Sequence, residues 1–349
     1  MTYQLNNKIK DLQPYDPITG NYSIRLDANE SFCQIPKQVV SKILEATAFM
    51  SYNRYPDSLA AELCRSFAAH YGVRQEMVTA GNGSDELISV IYNAFLMKGE
   101  AMMTLTPDFS MYRFYSSIVE AKCIEYQKSS DLSIDVDDLI ACVNKNNIKM
   151  LIFSNPCNPT SLGLKKADVR RLITSVNALV VLDEAYMDFW TESLLDEVDN
   201  YDNLIILRTS SKAFGLAGIR LGFAVANLTL TNAIKAVKSP YNVNSLTQMI
   251  GSIILNENEL IHTATAKIIT SREMLYSEMK RIENNHSDKM QVYPSVTNFV
   301  FIKMNNAKKM YESLLNDGIA VRLIGDYLRI TAGSEKENAE LVKAFEAAI

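Results

Sequence analysis

The stretch Leu204-Ile205-Ile206-Leu207-Arg208-Thr209-Ser210-Ser211-Lys212-Ala213-Phe214-Gly215-Leu216-Ala217-Gly218-Ile219-Arg220-Leu221-Gly222 runs from an apolar strand candidate into hydroxyls, a lysine, glycines and an arginine. Its first five residues predict a buried strand. Further strands are predicted at Met77–Ala80, Ala101–Leu105, Met150–Ser154, Leu179–Asp183 and Phe223–Ala226. Helical patterns at Leu59–His70, Asp85–Met97 and Val136–Val143 lie between several of them. Apolar strands alternating with amphipathic helices predict an α/β fold, with a mostly parallel sheet covered by helices. Such sheets bind ligands at the carboxyl ends of their strands. Lys212 falls at such an end. A lone lysine there reads more simply as a surface residue with its stem packed and its head in water. Here Thr209, Ser211 and Arg220 flank it and suit an anion. A lysine in that setting can form a Schiff base with an aldehyde cofactor that carries a phosphate.

Other polar segments also follow strand candidates. Ala80-Gly81-Asn82-Gly83-Ser84-Asp85-Glu86 opens a helix whose free N–H groups attract an anion, although an ordinary capped helix start reads the same way. It lacks the G-K-[ST] of a nucleotide-binding loop. Val181-Leu182-Asp183-Glu184-Ala185-Tyr186 ends an apolar strand on a carboxylate. Asp183 there is either a helix cap or the partner of a buried cation, such as a protonated ring nitrogen. Tyr186 is then in reach of a phenolic ring oxygen. Ser154-Asn155-Pro156-Cys157-Asn158-Pro159-Thr160 is a stiff turn in which Asn158 is either a plain turn residue or a cofactor contact. Cys157 has no base partner in view. Arg322 and Arg329 sit on short strand candidates near the C-terminus. Arg329, between apolar neighbours, either faces solvent on an edge or forks onto a carboxylate or phosphate.

Composition narrows the class. A chain of 349 residues is long enough for two domains, and 48% hydrophobic with 21% charged residues is the balance of a globular protein. The net charge of -5 without a basic run argues against nucleic acid. No apolar run approaches the roughly 20 residues of a membrane helix. The polar start, Met1 to Lys10, lacks the apolar core of a secretory signal. Five scattered cysteines, Cys33, Cys64, Cys123, Cys142 and Cys157, fit free thiols in a reducing cytoplasm. His70, His262 and His286 show no ligand spacing, so no metal site is expected and proton transfer falls to another group. From about Ser245 a long helical pattern runs towards Arg281. Strands follow at Phe299–Lys303, near Ile319–Val321 and at Tyr327–Thr331, with helices at Ala307–Leu315 and Lys336–Ala348. The expected division is an N-terminal arm over 1–30, a large domain over 31–244 and a smaller α/β domain over 245–349.

Taken in order, the motifs resemble the fold type I aminotransferases that depend on pyridoxal phosphate (PLP), and among them the histidinol-phosphate aminotransferase family. The resemblance spans nearly the whole chain. It rests on Tyr55-Pro56-Asp57, Gly81-Asn82-Gly83-Ser84-Asp85-Glu86, the Asn-Pro-x-Asn-Pro-Thr turn, Asp183-Glu184-Ala185-Tyr186, Ser211 to Gly218, Pro294-Ser295-x-x-Asn298-Phe299 and Leu328-Arg329-Ile330-Thr331. It implies that Lys212 binds PLP covalently and shuttles protons, and that Asp183 pairs with the pyridine nitrogen. Asn158 and Tyr186 would contact the ring oxygen. Ser84, Asp85, Thr209, Ser211 and Arg220 would line the phosphate site, and Phe109 would stack on the ring. Tyr55 would reach the phosphate of a neighbouring subunit, which implies a homodimer with shared sites. Tyr15, Asn29, Asn158, Arg329 and Arg322 would face the substrate.

The implied reaction moves an amino group from histidinol phosphate to 2-oxoglutarate by a ping-pong route, in the histidine biosynthesis of the cytoplasm. The chain departs from the family where Asn29-Glu30 continues into Ser31-Phe32-Cys33-Gln34. It departs also at Cys157, at Ser161 after the turn, and at Phe109, where a tyrosine is usual. The N-terminal change lies near the substrate side. Three alternatives stay open: an aromatic or broad-specificity aminotransferase, a threonine-phosphate decarboxylase-like enzyme, and a non-catalytic PLP-binding module of a regulator. The last has against it the retained lysine and aspartate.

Overall fold

The computed structural model describes residues 2–10, 12 and 17–349. Thirteen strands are found among the described residues: β1 (Ile24–Arg25), β2 (Val78–Gly81), β3 (Ala101–Thr106), β4 (Lys122–Gln127), β5 (Met150–Ser154), β6 (Leu179–Asp183), β7 (Leu204–Thr209), β8 (Gly222–Ala226), β9 (Met290–Tyr293), β10 (Phe299–Met304), β11 (Ile319–Ala320), β12 (Arg322–Ile324) and β13 (Tyr327–Thr331). The helices are α1 (Lys37–Ala48), α2 (Ala61–Tyr71), α3 (Gly83–Phe95), α4 (Met111–Ile118), α5 (Val136–Lys145), α6 (Lys166–Ser175), α7 (Leu228–Val237), α8 (Ser245–Leu255), α9 (Asn258–Asn285), α10 (Ala307–Asn316) and α11 (Glu335–Ala348).

Strands β5, β7 and β8 are buried along their whole length, and β6 all but its first residue, so both faces of this sheet are covered. The sheet runs β2-β8-β7-β6-β5-β3-β4. All its pairings are parallel except those of β8, which is antiparallel to β2 and β7. The α/β fold with a mostly parallel sheet is therefore as expected. A second sheet, β12-β13-β10-β9, is antiparallel. The N-terminal segment is stitched to this second body. Strand β1 pairs in parallel with β11, and Leu26 bridges to Ala320 and Thr331 through backbone hydrogen bonds of 2.8 and 2.9 Å.

Strands β1, β4 and β9 escape the sequence pattern, and one long helical pattern resolves into two helices. Strand β4 carries Lys122, Glu125 and Gln127 on a sheet edge, so it lacks the apolar run of its neighbours. The pattern from Ser245 to Arg281 is two helices, because α8 ends at Leu255 and α9 restarts at Asn258. Helix α8 packs on α1 and α2.

Arg208 is a buried charge inside β7, 5% exposed. It is neutralised by Asp188 at 3.3 Å and Glu184 at 3.7 Å, and it stacks over the Tyr71 ring. Tyr71 donates a hydrogen bond to Asp188, and Ser193 donates one to Glu184. This network ties β7 to the segment after β6, just below the sheet's carboxyl edge.

Gly222 lets the start of α3 approach that edge. A Cβ there would lie 2.4 Å from both the Gly83 carbonyl carbon and the Ser84 nitrogen, which are backbone atoms that cannot step aside. Gly222→Ala is therefore expected to lower stability by about 1–3 kcal/mol, read as a fall in the urea midpoint with an unchanged slope.

Candidate active site

The carboxyl ends of the parallel strands open into a cleft of about 660 Å³. The strand register sets its floor: Ser154 lies opposite Asp183, and Asp183 opposite Leu207, so the chain segments leaving β5, β6 and β7 start side by side. Asp183 ends β6, Asn158 sits in the turn after β5, and Lys212 follows β7 by one turn. Each arrives where a parallel sheet delivers its loops.

Asp183 is 4% exposed. Its Oδ2 accepts a hydrogen bond from the Tyr112 hydroxyl at 2.8 Å, and its Oδ1 accepts one from the Ala185 N–H at 3.0 Å. Burial pushes the carboxyl up to about 7, the two donors oppose that rise, and the charges of Asp108 and Asp85 add to it. No described cation pairs with it. A buried carboxylate with donors on both oxygens and no protein cation fits a cofactor with a protonated ring nitrogen.

The Lys212 amine donates to the Ala28 carbonyl at 3.0 Å and lies 5.8 Å from the Tyr186 ring centre. Burial lowers its pKa to about 8, with Arg329 and Arg220 adding like-charge repulsion against the opposing pull of Glu30 and Asp85. The neutral amine needed for nucleophilic attack is thus accessible near neutral pH. Tyr186 is buried, and its hydroxyl accepts a hydrogen bond from Asn29 Nδ2 at 2.8 Å. Asn29 adopts a left-handed conformation, φ 55°, held by Thr331 and Asn298. Burial pushes the Tyr186 phenol up to about 12, so it stays a donor at neutral pH.

Ser84 and Asp85 begin α3, whose cap residue Asn82 offers no side-chain bond to the first-turn N–H groups. Arg220, in the left-handed region at φ 53°, lies 3.6 Å from Asp85. A Cβ on Gly83 would meet the Arg220 guanidinium at 2.9 Å, so the glycine leaves that guanidinium its place. Thr209 and Ser211 bond to each other at 3.1 Å on the same wall. Helix N–H groups, two hydroxyls and a guanidinium around one corner fit a phosphate.

The cleft thus gathers Ser84, Asp85, Phe109, Asn158, Asp183, Tyr186, Thr209, Ser211, Lys212, Arg220, Asn29, Arg322 and Arg329. Arg329 donates to Asn158 Oδ1 at 2.5 Å and to the Asp27 carbonyl at 2.6 Å. Tyr55 is not among the lining residues. It is 81% exposed and stacks on Tyr241 at 4.6 Å between ring centres. Tyr15 lies outside the described residues. Two site residues went unnoticed in the sequence. Asp108 accepts hydrogen bonds from Ser154 and from the Phe109 N–H, and its place directly after a strand was a usable signal. Tyr112, fully buried in the first turn of α4, gave none, because only the packing brings it to Asp183.

The sequence profile of the family Aminotransferase class I and II matches residues 22–345. A histidinol-phosphate aminotransferase of Clostridium novyi (strain NT) is 42% identical over 343 residues, covering 97% of this chain and 95% of that protein. One from Thermoanaerobacter pseudethanolicus is 36% identical, covering 98% and 97%. The crystal structure of histidinol-phosphate aminotransferase from Sinorhizobium meliloti in complex with pyridoxal-5'-phosphate superposes with a TM-score of 0.88 at 22% identity, covering 99% of this chain and 97% of that one. The chain belongs to the class I and II aminotransferases, within the family of the histidinol-phosphate aminotransferases.

Proposed function

We propose that the chain transfers the amino group of histidinol phosphate to 2-oxoglutarate, using PLP held in the cleft by Lys212. The observation that carries the choice of substrate is the pairing of Arg322 with Arg329, directly opposite each other on the antiparallel strands β12 and β13 and both lining the cleft. The guanidinium fork suits the oxygens of a phosphate or carboxylate. A phosphate monoester fits this pair better than a neutral aromatic ring does. In the second half-reaction a carboxylate of glutamate or 2-oxoglutarate takes the same place.

Bound PLP supplies an aldehyde for the substrate nitrogen and a ring that draws electrons from the neighbouring carbon. The rest is the work of this chain's residues. Lys212 Nζ would be the group that takes up and gives back the proton of the substrate carbon. Asp183 would pair with the ring nitrogen and keep it protonated. Tyr186 and Asn158 would hold the ring oxygen, and Phe109 would pack against the ring. Ser84, Asp85, Thr209, Ser211 and Arg220 hold the phosphate. Arg329, braced by Asn158 and Asp27, orients the substrate anion with Arg322, and Asn29 lines the substrate side.

A second copy of the chain completes the site in this proposal. Leu44, Phe49, Tyr52, Tyr55 and Leu59 are each more than half exposed on one short stretch, an apolar surface that pairing would cover. Tyr55 would then serve the partner's phosphate corner. The proposed division has an arm over 1–30, a large domain over 31–244 and a small domain over 245–349. No helix of the described residues is long and apolar enough to cross a membrane. The cytoplasm is the proposed compartment, in keeping with five free cysteines.

Stopped-flow spectra test the substrate. Histidinol phosphate is expected to convert the PLP form faster than phenylalanine, threonine phosphate or glutamate does. Conversion by phenylalanine alone would instead favour an aromatic aminotransferase. Arg322→Ala and Arg329→Ala should each lower kcat/KM for histidinol phosphate roughly 10- to 100-fold. In PLP-free protein, acetylation of Lys212, followed by peptide mass spectrometry, should rise through a midpoint of about pH 8, since the reactive neutral amine forms above that pKa. A midpoint near the ordinary lysine value would contradict the site's electrostatics. Mixing Tyr55→Ala with Lys212→Ala protein should regain activity in hybrid dimers that carry one intact site. No recovery after verified subunit exchange would rule out a shared site.

A further inference from the structure

We propose that Tyr112 is a positioning residue that keeps the Asp183 carboxylate ionised and fixed in orientation within the cleft. The proposal rests on the PLP reading above and extends it to a residue that no motif singled out.

Tyr112 is fully buried, and its hydroxyl lies 2.8 Å from Asp183 Oδ2. An ionised carboxylate can only accept, so the phenol must donate. Burial holds the phenol well above its ordinary pKa, which keeps that proton in place. With the Ala185 N–H on Oδ1, each carboxylate oxygen has one donor, and two donors in different directions set the plane of the group. The same turn of α4 places the Tyr112 ring edge-on to Phe109, at 5.5 Å between centres. One helix start therefore positions both the stacking ring and the ring-nitrogen partner.

The need for such a donor comes from what surrounds Asp183. Asp108, from the loop after β3, and Asp85, from α3, are carboxylates that disfavour its charge. Tyr186, on its own loop, and Lys212, from the loop after β7, line the same cleft. Removing the Tyr112 hydroxyl leaves the Ala185 N–H as the single direct donor against burial and two carboxylates. Asp183 then takes up a proton at a higher pH than before and loses the charge that a cationic ring nitrogen requires.

The test is the dissociation constant of PLP, measured by equilibrium dialysis from about pH 6 to about pH 9. It is run on wild type, Tyr112→Phe, Asp183→Asn and the double variant, each with a thermal melt. Tyr112→Phe should weaken PLP binding about tenfold near neutral pH and move the acid-side loss of binding up by about one pH unit. It should lower kcat more than it raises KM. On the Asp183→Asn background the same substitution should change neither affinity nor profile. A Tyr112 that only packs would lower the melting temperature and leave the acid limb in place, and that result overturns the proposal. If Tyr112→Phe does not fold, 3-fluorotyrosine placed at position 112 keeps the ring and strengthens the donor. The acid limb should then move to lower pH, and an unmoved limb overturns the proposal. Wild-type protein that fails to bind PLP would refute the cofactor reading itself. Wild-type binding with an unmoved limb in the variants refutes only the role of Tyr112.

Discussion

Asp183 stands at the end of a strand whose faces are both covered, so water cannot stabilise its charge. The site is organised around that constraint. The parallel register puts Ser154 beside Asp183 and Asp183 beside Leu207, and the loops leaving these strands carry Asn158, Tyr186 and Lys212 to one place. Tyr112 and Ala185 satisfy the two carboxylate oxygens from opposite sides. Below the edge, Arg208 solves a similar problem with protein partners alone, between Glu184 and Asp188. The contrast is instructive. The Arg208 charge is met by two protein carboxylates, whereas Asp183 is met by hydrogen-bond donors and by no described cation.

One physical cause also brings the acid and the amine towards the same range. Burial disfavours charge of either sign, so it raises Asp183 to about 7 and lowers Lys212 to about 8. Nearby arginines push Lys212 further down. The lysine can lose a proton near neutral pH, as a group must that attacks a carbonyl and later shuttles a proton.

The substrate end depends on contacts between segments distant in sequence. Arg329, on the small sheet, is braced on Asn158 from the large sheet's loops and on the Asp27 carbonyl from the N-terminal segment. Asn29, in the same segment, reaches Tyr186, Thr331 and Asn298. Movement of the small body relative to the large sheet would therefore be felt at Tyr186, Asn158 and Arg329 together.

The strands of the parallel sheet and the polar segments at their ends were legible in the sequence, because full burial writes itself as apolar runs of strand length. Lys212, Asp183, Asn158 and Arg220 could be named as candidates on that basis, and the order of the motifs pointed to the family. Strand β4 was not legible, since an edge strand needs only one buried face. Neither was the break between α8 and α9, which falls at Asn256-Glu257 within one continuous helical pattern. Tyr112 looked like any helical tyrosine, and only packing brings its hydroxyl to Asp183, 71 positions away. The pairing of Arg322 with Arg329 was likewise decided by strand register. What the sequence determined by itself was local: strand, turn and the chemistry at each strand end. The tertiary structure alone decided which charges face one another and which are closed off, because those relations depend on distances that local propensity does not encode.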